Sequence, residues 1–358
     1  MKKFILILCM ITLVGCGKTV PSANMDISEV QSETSPKIQY EPTTESTFDA
    51  VTDIEVGEPD KNYYLNSNKT LFSDDKGSYY YVYKDGRDSG YYVLGCETKD
   101  NKYSFLKNAD DFNAYLYKDG IFYGSYRQDK ICSFKDGKYT SLYHEENEIS
   151  DFYFTDSYIY FLYRSDSGTE IFRMGYNGSD IESIAFIDLQ ISKYSVHGNK
   201  IFYEADYLKY GVFDTETGTD TALDNGGAGI FCGDYMYYVS GEHHLFRMNI
   251  NDYSYEKICE NVRRFAFYDG YIIYQMYQPY AGDTANDCEV YRLGKGENKK
   301  IFDAYEHCKH PYYYDISVIQ ADKDNIFIEV SSGPYYKCIA EIDIDGNLIK
   351  KVYEHTSV

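Results

Sequence analysis

The chain alternates between turn-rich and apolar segments in a pattern that recurs seven times. Each copy is a turn of Asp, Gly, Asn or Ser that runs directly into a burst of Ile, Tyr and Phe, as in KDGIFY from Lys118. The bursts begin at Tyr79, Ile121, Ile159, Ile201, Met236, Ile272 and Ile326, at spacings of 42, 38, 42, 35, 36 and 54 residues. A repeat of about 40 residues built from hairpin signals predicts an all-β fold, a β-propeller with one four-stranded blade per repeat.

The third copy shows how one repeat would form a blade. Residues 151–154, 158–163, 170–175 and 181–186 alternate in the manner of strands, and turn residues separate them. Seven such units follow from Leu71 to the C-terminus, which predicts seven blades, with six as the alternative if a terminal unit is irregular. Residues 63–65 are a candidate extra strand for the last blade.

The predicted third strands share a sequence signature. They read IFRM from Ile171, LFRM from Leu245 and VYRL from Val290. Residues 171–180 (IFRMGYNGSD) resemble the corresponding segment of YWTD-type propellers of the low-density-lipoprotein-receptor class, and residues 202–206 (FYEAD) loosely resemble the YWTD strand itself. Bacterial lipoproteins with a propeller of this type are the family that the resemblance suggests. It implies a binding or scaffolding module and assigns no catalytic residues; the chain has no Trp, so the defining tetrapeptide is never intact.

The N-terminus resembles a lipoprotein export signal. Lys2 and Lys3 precede a 12-residue apolar run, residues 4–15, whose last three residues and the following Cys16 read Leu-Val-Gly-Cys. That run is too short to span a bilayer of about 30 Å as a helix. We therefore expect residues 1–15 to be removed and Cys16 to be lipidated, which would hold the protein outside the cytoplasm on the bacterial cell membrane; an ordinary secretory signal is the alternative.

Residues 16–60 are predicted to be a disordered acidic linker, and residues 61–358 the propeller domain. From residue 17 the linker carries ten acidic residues against two lysines and four of the seven prolines, a composition that buries little apolar surface. The alternative is that residues 48–56 pack on the propeller as a strand.

The formal net charge is −22. We therefore expect no nucleic-acid partner, because phosphate binding needs a basic surface. Beyond Cys9 in the signal and Cys16, seven cysteines remain, an odd number with irregular spacing that argues against a disulfide framework. A Cys288–Cys308 bridge is one alternative.

Few residues suggest chemistry directly. His307, Cys308 and His310 have ligand-like spacing, but a polar loop is the favoured interpretation over a zinc site. The acidic run from Glu341 to Gly346 fits a strand and an Asp-Gly turn better than a calcium loop. The sequence contains no P-loop, Gly-x-Ser-x-Gly elbow or His-Glu-x-x-His motif. We predict no metal, no cofactor and no catalytic residue.

The longest repeat spacing contains two candidate binding loops, residues 278–287 and 306–314. Their candidate contact residues are Tyr280, Asp283, Asp287, His307, His310, Tyr312, Tyr313 and Tyr314. The tyrosines offer faces for a sugar or a peptide; the favoured alternative is that they begin the inner strand of the last blade.

These observations predict a membrane-tethered module that binds a protein, a peptide or a glycan at the cell envelope. An extracytoplasmic sensor of a small ligand or peptide is one alternative, and a glycan-active enzyme on the same scaffold is another.

Overall fold

The computed structural model describes residues 50–356. Gaps in this range lie at residues 67–70, 74–77, 85–90, 98–101, 106–111, 127–128, 146–148, 207, 278–287, 309–314, 322–324 and 333–335. The predicted signal peptide and the lipidation site at Cys16 lie outside the described residues.

The strands of the described residues group into seven four-stranded sheets in chain order. The first sheet contains β1 (Leu71–Ser73), β2 (Ser78–Lys84), β3 (Tyr91–Glu97) and β4 (Lys102–Phe105); the second contains β5 (Phe112–Lys118), β6 (Ile121–Tyr126), β7 (Lys130–Lys135) and β8 (Lys138–His144). The third contains β9 (Ile149–Phe154), β10 (Tyr158–Ser165), β11 (Gly168–Gly175) and β12 (Glu182–Ile187); the fourth contains β13 (Ile191–His197), β14 (Lys200–Ala205), β15 (Lys209–Asp214) and β16 (Thr219–Leu223). The fifth contains β17 (Ile230–Cys232), β18 (Tyr235–Val239), β19 (Leu245–Asn249) and β20 (Tyr255–Cys259); the sixth contains β21 (Val262–Tyr268), β22 (Tyr271–Met276), β23 (Glu289–Gly294) and β24 (Glu297–Asp303). The seventh contains β25 (Asp315–Ala321), β26 (Ile326–Ser332), β27 (Tyr336–Ile342) and β28 (Leu348–Thr356), and two short helices, α1 (Tyr63–Asn66) and α2 (Ala304–Cys308), complete the described elements.

Each sheet is an antiparallel meander in which consecutive strands are neighbours. The predicted all-β propeller is confirmed, and each sheet holds one apolar burst of the sequence repeat in its second strand. The segments IFRM, LFRM and VYRL lie in β11, β19 and β23, which are third strands as predicted.

The hairpin turns adopt the left-handed backbone conformation that their Asp and Gly residues predict. Asp119-Gly120 and Asp269-Gly270 each combine two positive φ angles, 53° and 76° in the first pair and 49° and 72° in the second. Two consecutive left-handed residues match the right-handed twist of the flanking strands, and Asp and Gly tolerate that conformation best. The local sequence therefore sets where each first strand ends.

Neighbouring sheets pack face to face. Leu162 and Ile171 of the third sheet lie in one buried cluster with Ile191 and Ile201 of the fourth sheet, and all four side chains are at most 1% exposed. The sixth and seventh sheets share another cluster of the same kind. Burial of apolar area between sheets, rather than in one central core, lets a long chain of repeats fold as one unit.

The arginines of the third-strand signature each join three strands. Arg173, Arg247 and Arg292 stack over Tyr158, Tyr235 and Tyr271, with 4.7, 4.8 and 5.0 Å between guanidinium carbon and ring centroid. Each arginine also forms an ion pair with a glutamate at the fourth strand of its sheet. Because the tyrosine begins the second strand, the signature stabilises the blade, which gives it a structural role.

Arg292 is the most deeply placed of the three, with 10% of its side chain exposed. Its Nη1 donates to the Ile344 carbonyl at 3.1 Å and to Asp345 Oδ1 at 2.9 Å, which ties the sixth sheet to the seventh.

We expect Arg292→Ala to lower the free energy of unfolding by about 2 kcal/mol, because hydrogen bonds to charged groups and a buried stem are lost together. Arg173→Ala is the matched control, since Arg173 is 34% exposed and its charged partner is Glu182. Arg173→Ala is expected to lower the free energy of unfolding by about 1 kcal/mol or less. Urea unfolding of both variants measures the difference, and equal costs would contradict a role in joining the two sheets.

Five cysteines of the described residues are buried: Cys132, Cys232, Cys259, Cys288 and Cys338. Cys288 is a free thiol, so the alternative Cys288–Cys308 bridge is not present. Burial raises the pKa of the Cys232 thiol to about 11.

We expect these thiols to resist alkylation in the folded protein at pH 8. An exposed thiol with its usual pKa of about 8.5 is partly ionised at that pH, whereas a raised pKa leaves almost no reactive thiolate. Iodoacetamide labelling with peptide mass spectrometry should modify all five residues only after denaturation. Rapid labelling of Cys232 in the native protein would contradict its burial.

Residues 50–66, here called the strap, run from the outer edge of the fifth sheet to the centre of the molecule. Ala50 pairs with Cys259 of β20, and the Val51 amide donates to the Ile258 carbonyl at 2.9 Å. Ile54 is 3% exposed among apolar residues of the fifth and sixth sheets. Residues 50–60 are therefore packed on the sheets before Lys61, but through isolated bridges at Ala50 and Pro59 and not as the strand given above as the alternative for residues 48–56.

The strap ends in α1. Asp60 begins this helical turn, since its Oδ1 accepts a hydrogen bond from the Asn62 amide at 2.8 Å. The candidate extra strand at residues 63–65 is thus wrong, because these residues are helical and the seventh sheet is built from β25–β28.

Candidate binding site

A cavity of about 380 Å³ lies where the first strands of five sheets converge. Residues of β9, β13, β17, β21 and β25 line it, so the first strand of each of these sheets is the innermost strand. Each first strand pairs only with the second strand of its own sheet, and its other edge faces the cavity. The cavity is therefore the central channel of the propeller, and its volume lies in the range of about 300–1,000 Å³ that is typical of ligand pockets.

The strap closes one end of the channel. The Asp60 amide donates to the Phe231 carbonyl at 2.8 Å, and the Tyr63 hydroxyl accepts from the Phe267 amide at 3.1 Å. Phe154, Phe231 and Phe267 lie near the C-terminal ends of their first strands. We call the opposite end of the channel, at the N-terminal ends of the first strands, the mouth.

Asn66 fixes the end of the strap to the third sheet. Its Oδ1 accepts from the Phe154 amide at 2.7 Å, and its Nδ2 donates to the Phe154 carbonyl at 2.6 Å. The side-chain amide thus takes the place of a neighbouring strand at the edge of β9.

We expect Asn66→Ala to lower the free energy of unfolding by about 1–2 kcal/mol, because two backbone groups lose their partner. Asn225→Ala is the control, since the Asn225 side chain contacts the amide of the adjacent Gly226. Thermal unfolding measures the stability of both variants. An unchanged unfolding temperature for Asn66→Ala would show that the contact with the Phe154 backbone does not hold the end of the strap.

β-Bulges lie near the mouth in five first strands. The register shifts within the first four residues of β5, β9, β13, β21 and β25, and the extra residue is Tyr115 in β5, Ser192 in β13, Arg263 in β21 and Ser317 in β25. In β9, Asp151 and Phe152 both oppose Phe161, and Asp151 has a φ of 51°. Bulges redirect side chains and end regular pairing, which here happens around one opening.

The bulge of β21 brings two arginines to the channel. Consecutive residues of a regular strand point to opposite faces, yet Arg263 and Arg264 both line the cavity. Arg263 Nη1 lies 2.8 Å from Asp315 Oδ1 at the start of β25, in a pair whose side chains are 30% and 45% exposed. Lys193 of β13 also lines the cavity, with 67% of its side chain exposed and its Nζ 3.9 Å from Glu204.

The carboxylates of the lining have partners within the protein. Asp151 forms an ion pair with Arg164, whose Nε also donates to the Ile191 carbonyl at 3.0 Å. Asp60 accepts from the Asn62 amide, and its Oδ2 lies 3.4 Å from His197 Nδ1. The lining thus combines three basic residues with two engaged acidic ones, in a chain whose net charge is −22.

Aromatic side chains form much of the remaining wall. Phe152 and Phe265 lie on the first strands beside Asp151 and Arg264, and Tyr153 and Tyr194 lie deeper. Burial raises the pKa of the Tyr194 hydroxyl well above its usual value, so this group stays neutral. The site therefore offers rings, strand edges and positive charge around one opening.

Most of the site residues predicted from the sequence lie outside the described residues: Tyr280, Asp283, Asp287, His310, Tyr312, Tyr313 and Tyr314. His307 is described; it belongs to α2, stacks on Phe302 with 4.4 Å between ring centroids, and its Nδ1 lies 2.8 Å from the Asp303 carbonyl. The strand ends that flank the two predicted loops, Met276 and Asp315, are at the mouth end of their sheets.

The channel residues themselves were not predicted. The pair Arg263-Arg264 at the start of a first strand was the available signal, because adjacent arginines are conspicuous in so acidic a chain. Among the described residues, no three His, Cys, Asp or Glu side chains are grouped so as to hold a metal ion. The described helices include none with the length and apolarity needed to cross a membrane.

Solved structures with similar architecture include enzymes and a designed protein. An oligogalacturonate lyase from Vibrio parahaemolyticus matches with a TM-score of 0.56 and 10% identity over 83% of this chain and 93% of the lyase chain. A puromycin-hydrolyzing peptidase from Mycobacterium tuberculosis matches with a TM-score of 0.55 and 9% identity over 84% of this chain. The computationally designed protein Ika8 matches with a TM-score of 0.50 and 12% identity over 84% of this chain and 90% of Ika8.

The chain spans 56% of the length of the peptidase chain that it matches. At such identities the likeness establishes the fold alone. No known family matches the sequence, and no curated protein is significantly similar to it.

Proposed function

We propose that this protein is an extracytoplasmic propeller that binds a partner at the mouth of its central channel. In this proposal the seven sheets are the blades of one ring, and the export signal and Cys16 attach the ring to the bacterial membrane through a lipid. The module binds or scaffolds a protein, a peptide or a glycan of the cell envelope.

One observation carries the proposal. The channel is lined by basic and aromatic residues at the mouth and is closed at its other end by the strap. A pocket of ligand size with few, convergent polar groups is the usual form of a binding site. The two candidate loops of the sequence analysis also connect strand ends on this side, which favours the same face.

Site-specific photo-crosslinking in the producing cell tests the proposal. A photo-reactive amino acid replaces Ser192, exposed at the β13 bulge, or Thr140, exposed on the fourth strand β8 as the matched control. We expect a specific adduct at position 192 and none at position 140. Equal adducts at both positions, or none at 192, would contradict binding at the mouth.

The membrane attachment is tested in the same cells. Cys16→Ser should abolish incorporation of radiolabelled palmitate, because the thiol that carries the lipid is lost. Unchanged incorporation would contradict lipidation at Cys16.

A further inference from the structure

We propose that the ligand of the channel is an acidic peptide segment that enters the mouth end-on. This inference rests on the proposed function and specifies its ligand. Three features of the channel carry it: the free edges of the first strands, the bound strap at the closed end, and the basic residues at the mouth.

The first-strand edges favour a peptide. Backbone N–H and C=O groups need hydrogen-bond partners, and the edge of each first strand that faces away from its second strand has no neighbouring strand in its sheet. An extended peptide supplies such partners by pairing with the edge, as in other complexes formed by strand addition. A sugar chain carries no regular backbone of alternating donors and acceptors.

The strap shows this mode of binding within the molecule itself. Pro59 pairs with Cys232 at the edge of β17, and the Asp60 amide donates to the Phe231 carbonyl at 2.8 Å. Asn66 repeats the arrangement at the edge of β9 with its side-chain amide. Residues 53–60 of the strap contain four acidic residues and no basic one. Of these four, Asp60 lines the channel, so an acidic residue of a peptide segment lies at its closed end.

The mouth adds the charge that would select such a peptide. Arg263 and Arg264 reach the lining together because of the bulge, and Lys193 lies on β13 within the same cavity. Guanidinium groups bind carboxylates through paired hydrogen bonds, as the contact between Arg263 and Asp315 at the start of β25 illustrates. The strap blocks passage through the channel, so a peptide enters with one end and presents its acidic side chains at the mouth.

The test is a titration of the full-length protein with fluorescent peptides of five residues. The peptides are pentaglutamate, pentaglutamine and pentalysine, and a trigalacturonate is included as a carboxylated sugar. We expect pentaglutamate to bind and the other three to bind at least tenfold more weakly, with affinity falling as salt is raised.

Variants locate the binding. Lys193→Gln and Arg264→Gln should each weaken pentaglutamate binding about tenfold, since a charge-assisted hydrogen bond is removed. Lys138→Gln, at an exposed position on β8, is the matched control and should leave the affinity within about twofold. Lys193 is exposed, so its variant tests the inference even if Arg264→Gln fails to fold.

Three outcomes would overturn the inference. They are equal affinity of the Lys193→Gln and Lys138→Gln variants, pentaglutamine binding as tightly as pentaglutamate, and binding of trigalacturonate in place of the peptide. A crosslink at position 192 without acidic-peptide binding would refute this inference and leave the proposed function intact. Absence of that crosslink would refute the proposed function.

Discussion

Ile54→Ala is expected to lower the free energy of unfolding by about 2–5 kcal/mol, the usual cost of removing most of a buried aliphatic side chain. Ile54 is 3% exposed and belongs to the same apolar cluster as Ile258 of the fifth sheet and Val262 of the sixth. Chemical denaturation monitored by tyrosine fluorescence measures the change. The size of the effect follows from the position of the strap between two sheets.

Val51→Ala is the matched control for this prediction. Val51 belongs to the same strap but is 42% exposed, so its truncation should change the stability by less than about 0.5 kcal/mol. If residues 50–60 were a free acidic tether, both substitutions would be neutral. A neutral Ile54→Ala would therefore contradict the packed strap and, with it, the closed end of the channel.

Gly346→Ala is expected to lower the free energy of unfolding by about 2–4 kcal/mol, because the added methyl group would overpack the site and strain the backbone. Gly346 lies in the turn between β27 and β28 with a φ of 84°, and a Cβ built there would lie 1.7 Å from the Ile301 carbonyl oxygen. That oxygen belongs to β24, so the clash would separate the sixth and seventh sheets.

Gly218→Ala separates the two causes. Gly218 has a φ of 68°, but a Cβ at this position would meet no atom within 4 Å. Backbone strain alone should therefore lower the free energy of unfolding of Gly218→Ala by about 1 kcal/mol. The unfolding midpoints of the two variants give the comparison, and equal losses would show that close packing against Ile301 is not what Gly346 provides.

The sheets could be predicted from the sequence because their signals are local. An Asp-Gly pair such as Asp119-Gly120 sets a tight turn, and the apolar burst after it supplies the second strand. The IFRM-like segments were located for a similar reason. Their arginine meets a tyrosine and a glutamate of the same sheet, within a few tens of residues along the chain.

The strap and the channel depend on distant contacts, which local patterns do not reveal. Ile54 is an isolated apolar residue in an acidic stretch, and its burial depends on a groove between sheets that begin some 180 residues later. Likewise, the convergence of Arg263 and Arg264 depends on a bulge whose partner strand is β22. The acidic composition predicted a linker as far as residue 60, whereas residues 50–60 pack on the sheets.

The fold also explains why a resemblance to other propellers says little about ligands. The third-strand signature stabilises the third, fifth and sixth sheets, while the candidate ligand contacts come from bulges on the first strands. Function on a common scaffold is carried by such local departures from regular structure. In this chain, the bulge of β21 places Arg263 and Arg264 in the channel lining, where the proposed ligand would bind.

Hydrogen–deuterium exchange of the full-length protein, with and without the partner captured at position 192, tests most directly whether the mouth of the channel is the binding face. We predict slower exchange in residues 191–195 and 262–265, which line the mouth on two first strands, and no change in residues 219–223 of the outer strand β16. Slower exchange confined to outer strands, with the first strands unchanged, would contradict the account.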